Sequence, residues 1–191
     1  MDTEGTYYYF VSSLPYLYLG QEPPLTSSGF LNIAVGVMEP ETLAQLSAVS
    51  LVPREFACCE GEAHWNNFET FVRNYLGRER ASRLKKDYTP WARREGDAFP
   101  LIKTKLDEAL NAEDPVQQEW MLDSTRWWFL DHITADRAYR FDAVVTYRVK
   151  LLLTEKWAVV SKEAGQEHLQ ELINEVWQEA ERVREDARST Q

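Results

Sequence analysis

Cysteine is nearly absent. Cys58 and Cys59 are the only two in 191 residues, and they are adjacent. Neighbouring cysteines pair only with strain, which excludes the disulfide framework of a small secreted domain and makes a reducing compartment the simpler reading. Glycine is scarce and scattered. Its 8 residues form neither G-x-x-x-x-G-K-[ST] nor G-x-G-x-x-G, so there is no glycine-rich phosphate cradle and the chain is not expected to hydrolyse ATP by itself. A long apolar run is missing as well. The best candidate, 143–160, is interrupted by Arg148, Lys150, Glu155 and Lys156, far from the ~20 apolar residues that span a bilayer. At the N-terminus Asp2 and Glu4 stand where a signal peptide carries Lys or Arg. These absences predict a cytoplasmic protein with no direct membrane span.

What is present is apolar, aromatic and acidic. Hydrophobic residues make up 44% of the chain and aromatics 13%, with 7 Trp, enough to build a core and to argue against global disorder. The formal net charge is -10, so nucleic acid is not an expected partner of the surface as a whole. The charge is uneven. Residues 1–60 hold seven acids and one base, 61–112 ten bases and eight acids, and 113–191 ten bases and sixteen acids. Arg73, Arg78, Arg80, Arg83, Lys85, Lys86, Arg93 and Arg94 crowd into the middle third. Such a block is either a solvated face that offsets the protein's own acidic thirds or a contact for an acidic partner.

Apolar spacing reads as helix after helix. Tyr7, Phe10, Val11 and Leu14 fit a short helix stopped near Pro15, against a strand reading from their aromatic and β-branched content. Ser27 or Ser28 is expected to cap a helix with Phe30, Leu31 and Ala34, and Pro40 to open another. From Ala63 the positions Trp65, Phe68, Phe71, Val72, Tyr75 and Leu76 have helical spacing, which Gly77 is expected to break before a further basic turn over 78–86. Asp97, Asp114 followed by Pro115, Asp142 and Ser161 are expected caps of four more helices. The one after Asp142 is apolar around most of its circumference and so is expected to be central, with Leu152 in the core. The last carries Leu169, Leu172, Ile173, Val176, Ala180 and Val183 as a stripe. Nothing reads as a hairpin. The expected fold is all-α, an irregular bundle of about seven to eight helices, in an N-terminal lobe over 1–89 and a C-terminal lobe over 90–191.

Chemistry-bearing constellations are weak. Cys58, Cys59 and His64, with Glu60 and Glu62, match no usual zinc spacing. Asp131 and His132 are consecutive, about 100° apart on a helix, and do not face each other. No Ser or Cys stands on a strand-to-helix elbow. We therefore expect no catalytic residues, no metal ligands and no cofactor. Trp120, Trp127, Trp128 and Trp157 read mainly as core. Since Trp127 and Trp128 cannot face the same way, one should reach a second lobe or a partner. The expected partner-binding residues are Arg78, Arg80, Arg83, Lys85, Lys86 and Trp128.

Two groups of residues carry a resemblance. The first is Tyr7-Tyr8, Leu14-Pro15, Gly20, Pro23-Pro24, Ser28 and Phe30-Leu31. The second is Trp127, Leu130-Asp131, Phe141-Asp142, Tyr147, Lys150 and Trp157. About a third of the chain resembles a small uncharacterised family encoded among bacterial V/A-type ATPase genes. That family in turn looks like the C-type central-stalk component (d-type in eukaryotes) of V-type ATPases. A full component of that type is a three-lobed helical funnel and this chain is shorter, so the resemblance implies part of such a funnel. The basic block and the Cys58-Cys59 pair match no motif of that family. The implied function is a non-catalytic helical subunit or assembly factor that contacts the other ATPase subunits, shaft and rotor ring, and sits peripherally on the membrane-bound complex. Two alternatives stay open. One is a helical interaction or regulatory module outside any ATPase. The other is a small metal-dependent enzyme using Glu62, His64, Asp131 and His132.

Overall fold

The structure, a computed structural model, describes residues 7–94 and 99–160. Among them are seven α-helices, a single 3₁₀ turn and no strand, so the fold is all-α. The helices are α1 (Tyr8–Ser13), α2 (Ser27–Val35), α3 (Pro40–Ser47), α4 (Glu60–Arg83), α5 (Pro100–Leu110) and α6 (Pro115–Thr134). The seventh, α7, runs from 141 to 160. The short turn Thr89–Trp91 lies between α4 and α5.

Helix starts follow local chemistry, with two departures from expectation. Pro40, Pro100 and Pro115 each sit in a first turn, where a missing N–H costs nothing. Asp114 caps α6, accepting from the N–H groups of Val116 and Gln117 at 3.2 and 3.0 Å. The cap of α2 is neither Ser27 nor Ser28 but Thr26, whose Oγ1 accepts the Gly29 N–H at 3.1 Å. Ser27 is instead the first helical residue. Its N–H donates to Glu155 of α7 at 2.5 Å, and its hydroxyl bonds the same carboxylate. Asp142 does not cap α7, which already begins at 141. It is buried and caps a different helix, accepting the Gly61 N–H at the start of α4 at 2.5 Å. The expected caps Asp97 and Ser161, and the stripe from Leu169 to Val183, lie outside the described residues.

Gly77 does not break α4. The helix runs through it because glycine here answers a close approach, not a stop: an added Cβ would lie 2.3 Å from Cε2 of Tyr88. The stop comes eight residues later. Lys85 adopts φ 54. Its N–H returns to the carbonyl of Ser82 and that of Lys86 to Ala81, at 3.0 and 2.9 Å. This is the paired C-terminal closure that usually takes glycine at the left-handed position. Part of the basic block is thereby accounted for locally, since Arg80 and Arg83 in the last turn complement the negative end of the helix dipole.

The core joins buried residues from both sides of position 89: Phe30 and Leu46 from α2 and α3, Trp65, Phe68 and Val72 from α4, Leu106 from α5, and Leu122 and Leu130 from α6. Its centre is aromatic. Phe68 stacks on Phe129 with centroids 3.9 Å apart, and Phe99 meets both rings edge-on at 5.6 Å. Such pairs add ~0.5–1.5 kcal/mol each beyond their area. At the other end Phe30 links Phe10 to Tyr147, at 5.9 and 5.3 Å. Gly20, at φ 80, turns the N-terminal segment tightly against the Trp120 ring.

Helix α7 is central in the way its pattern predicts, but the buried leucines differ from the expected one. Leu151 and Leu153 are 0% and 1% exposed, whereas Leu152 is only half-buried. Leu151→Ala or Leu153→Ala is therefore expected to cost ~2–5 kcal/mol, and Leu152→Ala less than ~1.5 kcal/mol. Urea melts of the three variants check this ranking, and a Leu152→Ala loss equal to the others would mean that α7 is rotated about its axis.

Candidate functional site

The two segments meet on one face, across 132 residues of sequence where Tyr147 reaches Pro15. Tyr147 on α7 donates its hydroxyl to the Pro15 carbonyl at 2.9 Å, and burial pushes the pKa of that phenol up to about 12. Tyr7 packs on Phe141 at 5.7 Å, and Tyr8 on Tyr139 at 4.5 Å. Lys150 pairs with Asp131 and lies 4.9 Å above the Trp127 ring. Between them opens a groove of about 360 Å³ walled by Leu14, Pro15, Tyr16, Tyr18, Trp127 and Lys150. Tyr9 and Tyr16 stand out into solvent at 85% and 81% exposure, and Tyr18 and Tyr139 are also exposed. Tyrosine and tryptophan combine large contact area with a polar tip and few rotors, which is why protein interfaces enrich them.

Trp128 lies beside this face. It is exposed and stacks on His132, with centroids 5.7 Å apart and planes 7° from parallel. Trp127 is half-buried, so the two tryptophans divide as their spacing requires.

Behind the face, α4, α6 and α7 share a buried charge network that sequence reasoning missed. Glu69 on α4 and Asp123 on α6 are 1% and 0% exposed. Arg126 spans them, reaching Glu69 at 2.8 and 3.2 Å and Asp123 at 2.7 Å. Asp123 also accepts from Lys156 and from the Trp157 indole of α7, both at 2.8 Å. Burial alone would push the Arg126 guanidinium down, but the two carboxylates outweigh it and hold the group charged. Glu119 and Arg73 close the set at its edges. The sequence signal was available in the i, i+3 pair Asp123–Arg126 and the i, i+4 pair Glu69–Arg73.

The basic block is not one surface. Arg83 donates to the Leu110 carbonyl at 3.2 Å and so satisfies the end of α5. Arg80 lines a shallow groove of about 320 Å³ with Arg73, Arg93 and Arg126, in which Glu119 is the acidic member. Arg78, Lys85 and Lys86 are exposed. Trp128 is carried by α6, and these cations by the last turns of α4 and the residues just after it.

The four residues of the metal-enzyme alternative are each engaged elsewhere. Glu62 holds Arg54, His64 lies 3.5 Å from Glu60, Asp131 holds Lys150, and His132 stacks on Trp128. Among the described residues no group of three or more His, Cys, Asp or Glu side chains is placed to hold a metal ion. No helix among them is long and apolar enough to cross a membrane.

Cys58 and Cys59 are structural partners at the start of α4. The Cys59 sulfur accepts the Glu62 N–H at 3.4 Å as the helix cap. The Cys58 N–H donates to Glu62 at 2.6 Å. Their mutual contact pushes the Cys58 thiol up and the Cys59 thiol down.

Residues 94–180, just under half of the chain, match the model of a family described only as a protein of unknown function, DUF2764. No curated protein and no solved structure matches the chain.

Buried Glu62 supplies a pH prediction. Burial would raise its carboxyl, but the bidentate Arg54 (2.5 and 2.7 Å) and the Cys58 N–H hold it below the usual 4.5. A depressed carboxyl contributes stability that is fully present above its unfolded value and is lost as pH falls through the folded one. The acid limb of the stability curve should therefore begin to fall near pH 4.5, and Glu62→Gln should flatten it while lowering stability at neutral pH. Denaturant melts between neutral and acid pH check this, and a mutant limb parallel to the wild type would contradict it.

Proposed function

We propose that this chain is a non-catalytic helical subunit or assembly factor of a V/A-type rotary ATPase, a cytoplasmic protein peripheral on the membrane complex that links the central shaft to the rotor ring. One observation carries the reading: the two segments that resemble the ATPase-associated family converge on one aromatic face. The match to the family of unknown function covers the second of those segments. A face built of tyrosines and tryptophans over a tightly packed helical body suits a part that must hold neighbours and transmit force rather than turn over a substrate. The cations at the end of α4 add a second contact, for an acidic partner.

Two experiments test this. Tagged protein should co-purify with the rotary complex, and its absence from an intact, active complex would favour an interaction module outside any ATPase. In the charge test, Arg80→Glu with Lys86→Glu leaves Arg83 to hold α5. That double variant should slow association several-fold and lower its salt dependence, because surface attraction is screened beyond ~8 Å at physiological salt. Its stability should fall only by the loss of the favourable charge at the end of α4, ~0.3–1 kcal/mol. A larger fall with unchanged association would show that these cations serve only the protein's own acidic regions.

A further inference from the structure

A second cleft lies away from the aromatic face, along the first half of α4. It encloses about 590 Å³, within the range of small-molecule sites. Ala63, Asn66, Asn67 and Thr70 line it at i, i+3, i+4 and i+7, so a single helix face forms the floor. That face is polar where a packed helix would be apolar. The walls are the loop carrying Arg54 and the segment Arg93–Arg94. A cleft with three arginines is unexpected in a chain of net charge -10.

Its cations are positioned from beneath. Glu62 grips Nε and Nη2 of Arg54, which fixes the plane of that guanidinium and leaves Nη1 outside the pair. Arg93 is clasped through its backbone by the fully buried Asn74, which accepts the Arg93 N–H at 3.0 Å and donates to its carbonyl at 2.9 Å. Asn74 is steadied in turn by the Tyr88 hydroxyl at 2.9 Å. No ion pair holds the side chain of Arg93 or Arg94 among the described residues. Asn66 is nine-tenths buried, and its amide Nδ2 lies beneath the floor, closed off from solvent and with no hydrogen-bond partner. Glu55 is the acidic residue of the lining, exposed at the rim.

We propose that this cleft binds a small phosphorylated anion. Donors line it from three separate stretches of chain: guanidinium groups on two sides, and the Asn67 amide with the Thr70 hydroxyl on the floor. A planar carboxylate is satisfied by one guanidinium fork, whereas the three terminal oxygens of a phosphate need donors from several directions. The inference is independent of the ATPase reading.

Titration calorimetry of the full chain with pyrophosphate, at fixed ionic strength, tests it. Saturable one-site binding is expected. Arg94→Gln removes an exposed charge and should weaken binding about tenfold, the loss of one charge-assisted contact. Asn67→Asp, nearly the same size, should weaken it further by placing a negative charge on the floor. If that variant fails to fold, Arg94→Gln alone decides. Lys85→Gln with Lys86→Gln, outside the cleft, should leave affinity unchanged. The proposal is overturned by absence of saturable heat at about 1 mM pyrophosphate, by citrate binding more tightly than pyrophosphate, or by equal losses in the lysine control.

Discussion

The arrangement of this molecule depends on one guanidinium. Arg126 lies between two carboxylates with almost no exposure, Glu69 and Asp123, and the second of these is held from the far side by Lys156 and the Trp157 indole. Three helices are pinned by that set. Replacing a buried ion pair with apolar side chains is often neutral in energy, so what such a network adds is a unique alignment. A carboxylate that must meet a fixed fork tolerates no slip of one turn, whereas stacked phenylalanines such as Phe68 and Phe129 allow neighbouring registers.

The alignment fixes what the surface displays. Because Arg126 points inward, the next two residues advance about 100° each around α6. Trp127 then lies half-buried under Lys150, and Trp128 faces outward against His132. On α7 the same register sets Tyr147 where it reaches the Pro15 carbonyl. The N-terminal segment is thereby seated on the helices rather than left as a tail, and the exposed tyrosines it carries form a continuous face with α6 and α7. The proposed anion cleft rests on α4 as well, but on its opposite use of polarity. There buried Glu62 and Asn74 do not close a network; they set arginines that open toward solvent.

The fold class was legible because apolar spacing survives in long helices: α4, α6 and α7 are each visible as stripes, and Asp114–Pro115 marks its start by side-chain chemistry alone. Expectation failed where a residue's partner lies far off in sequence. Gly77 reads locally as a breaker, but the Tyr88 ring above it makes glycine a packing requirement. Asp142 reads as a cap, and it is one, for a helix eighty residues earlier. Leu152 and its neighbours Leu151 and Leu153 are indistinguishable by type, and only the azimuth of α7 decides which are buried. Of the expected partner residues, Arg80 on α4 and Trp128 on α6 are exposed, while Arg83 donates to the end of α5. The cleft was invisible in sequence because Arg54, Asn66 and Arg93 share no motif; three unrelated stretches bring them together.

A double-mutant cycle on Glu69→Gln, Arg126→Met and their combination tests the dependence on Arg126 most directly. Each single change removes one member of the buried set, leaving Arg126 with Asp123 in the first case and Glu69 with Arg73 in the second, and should cost ~1–3 kcal/mol, while the pair together should cost less than their sum, giving a coupling of at least ~0.5 kcal/mol. Additive losses, with a coupling under ~0.3 kcal/mol, would mean that the aromatic packing alone sets the register and that the network is a bystander.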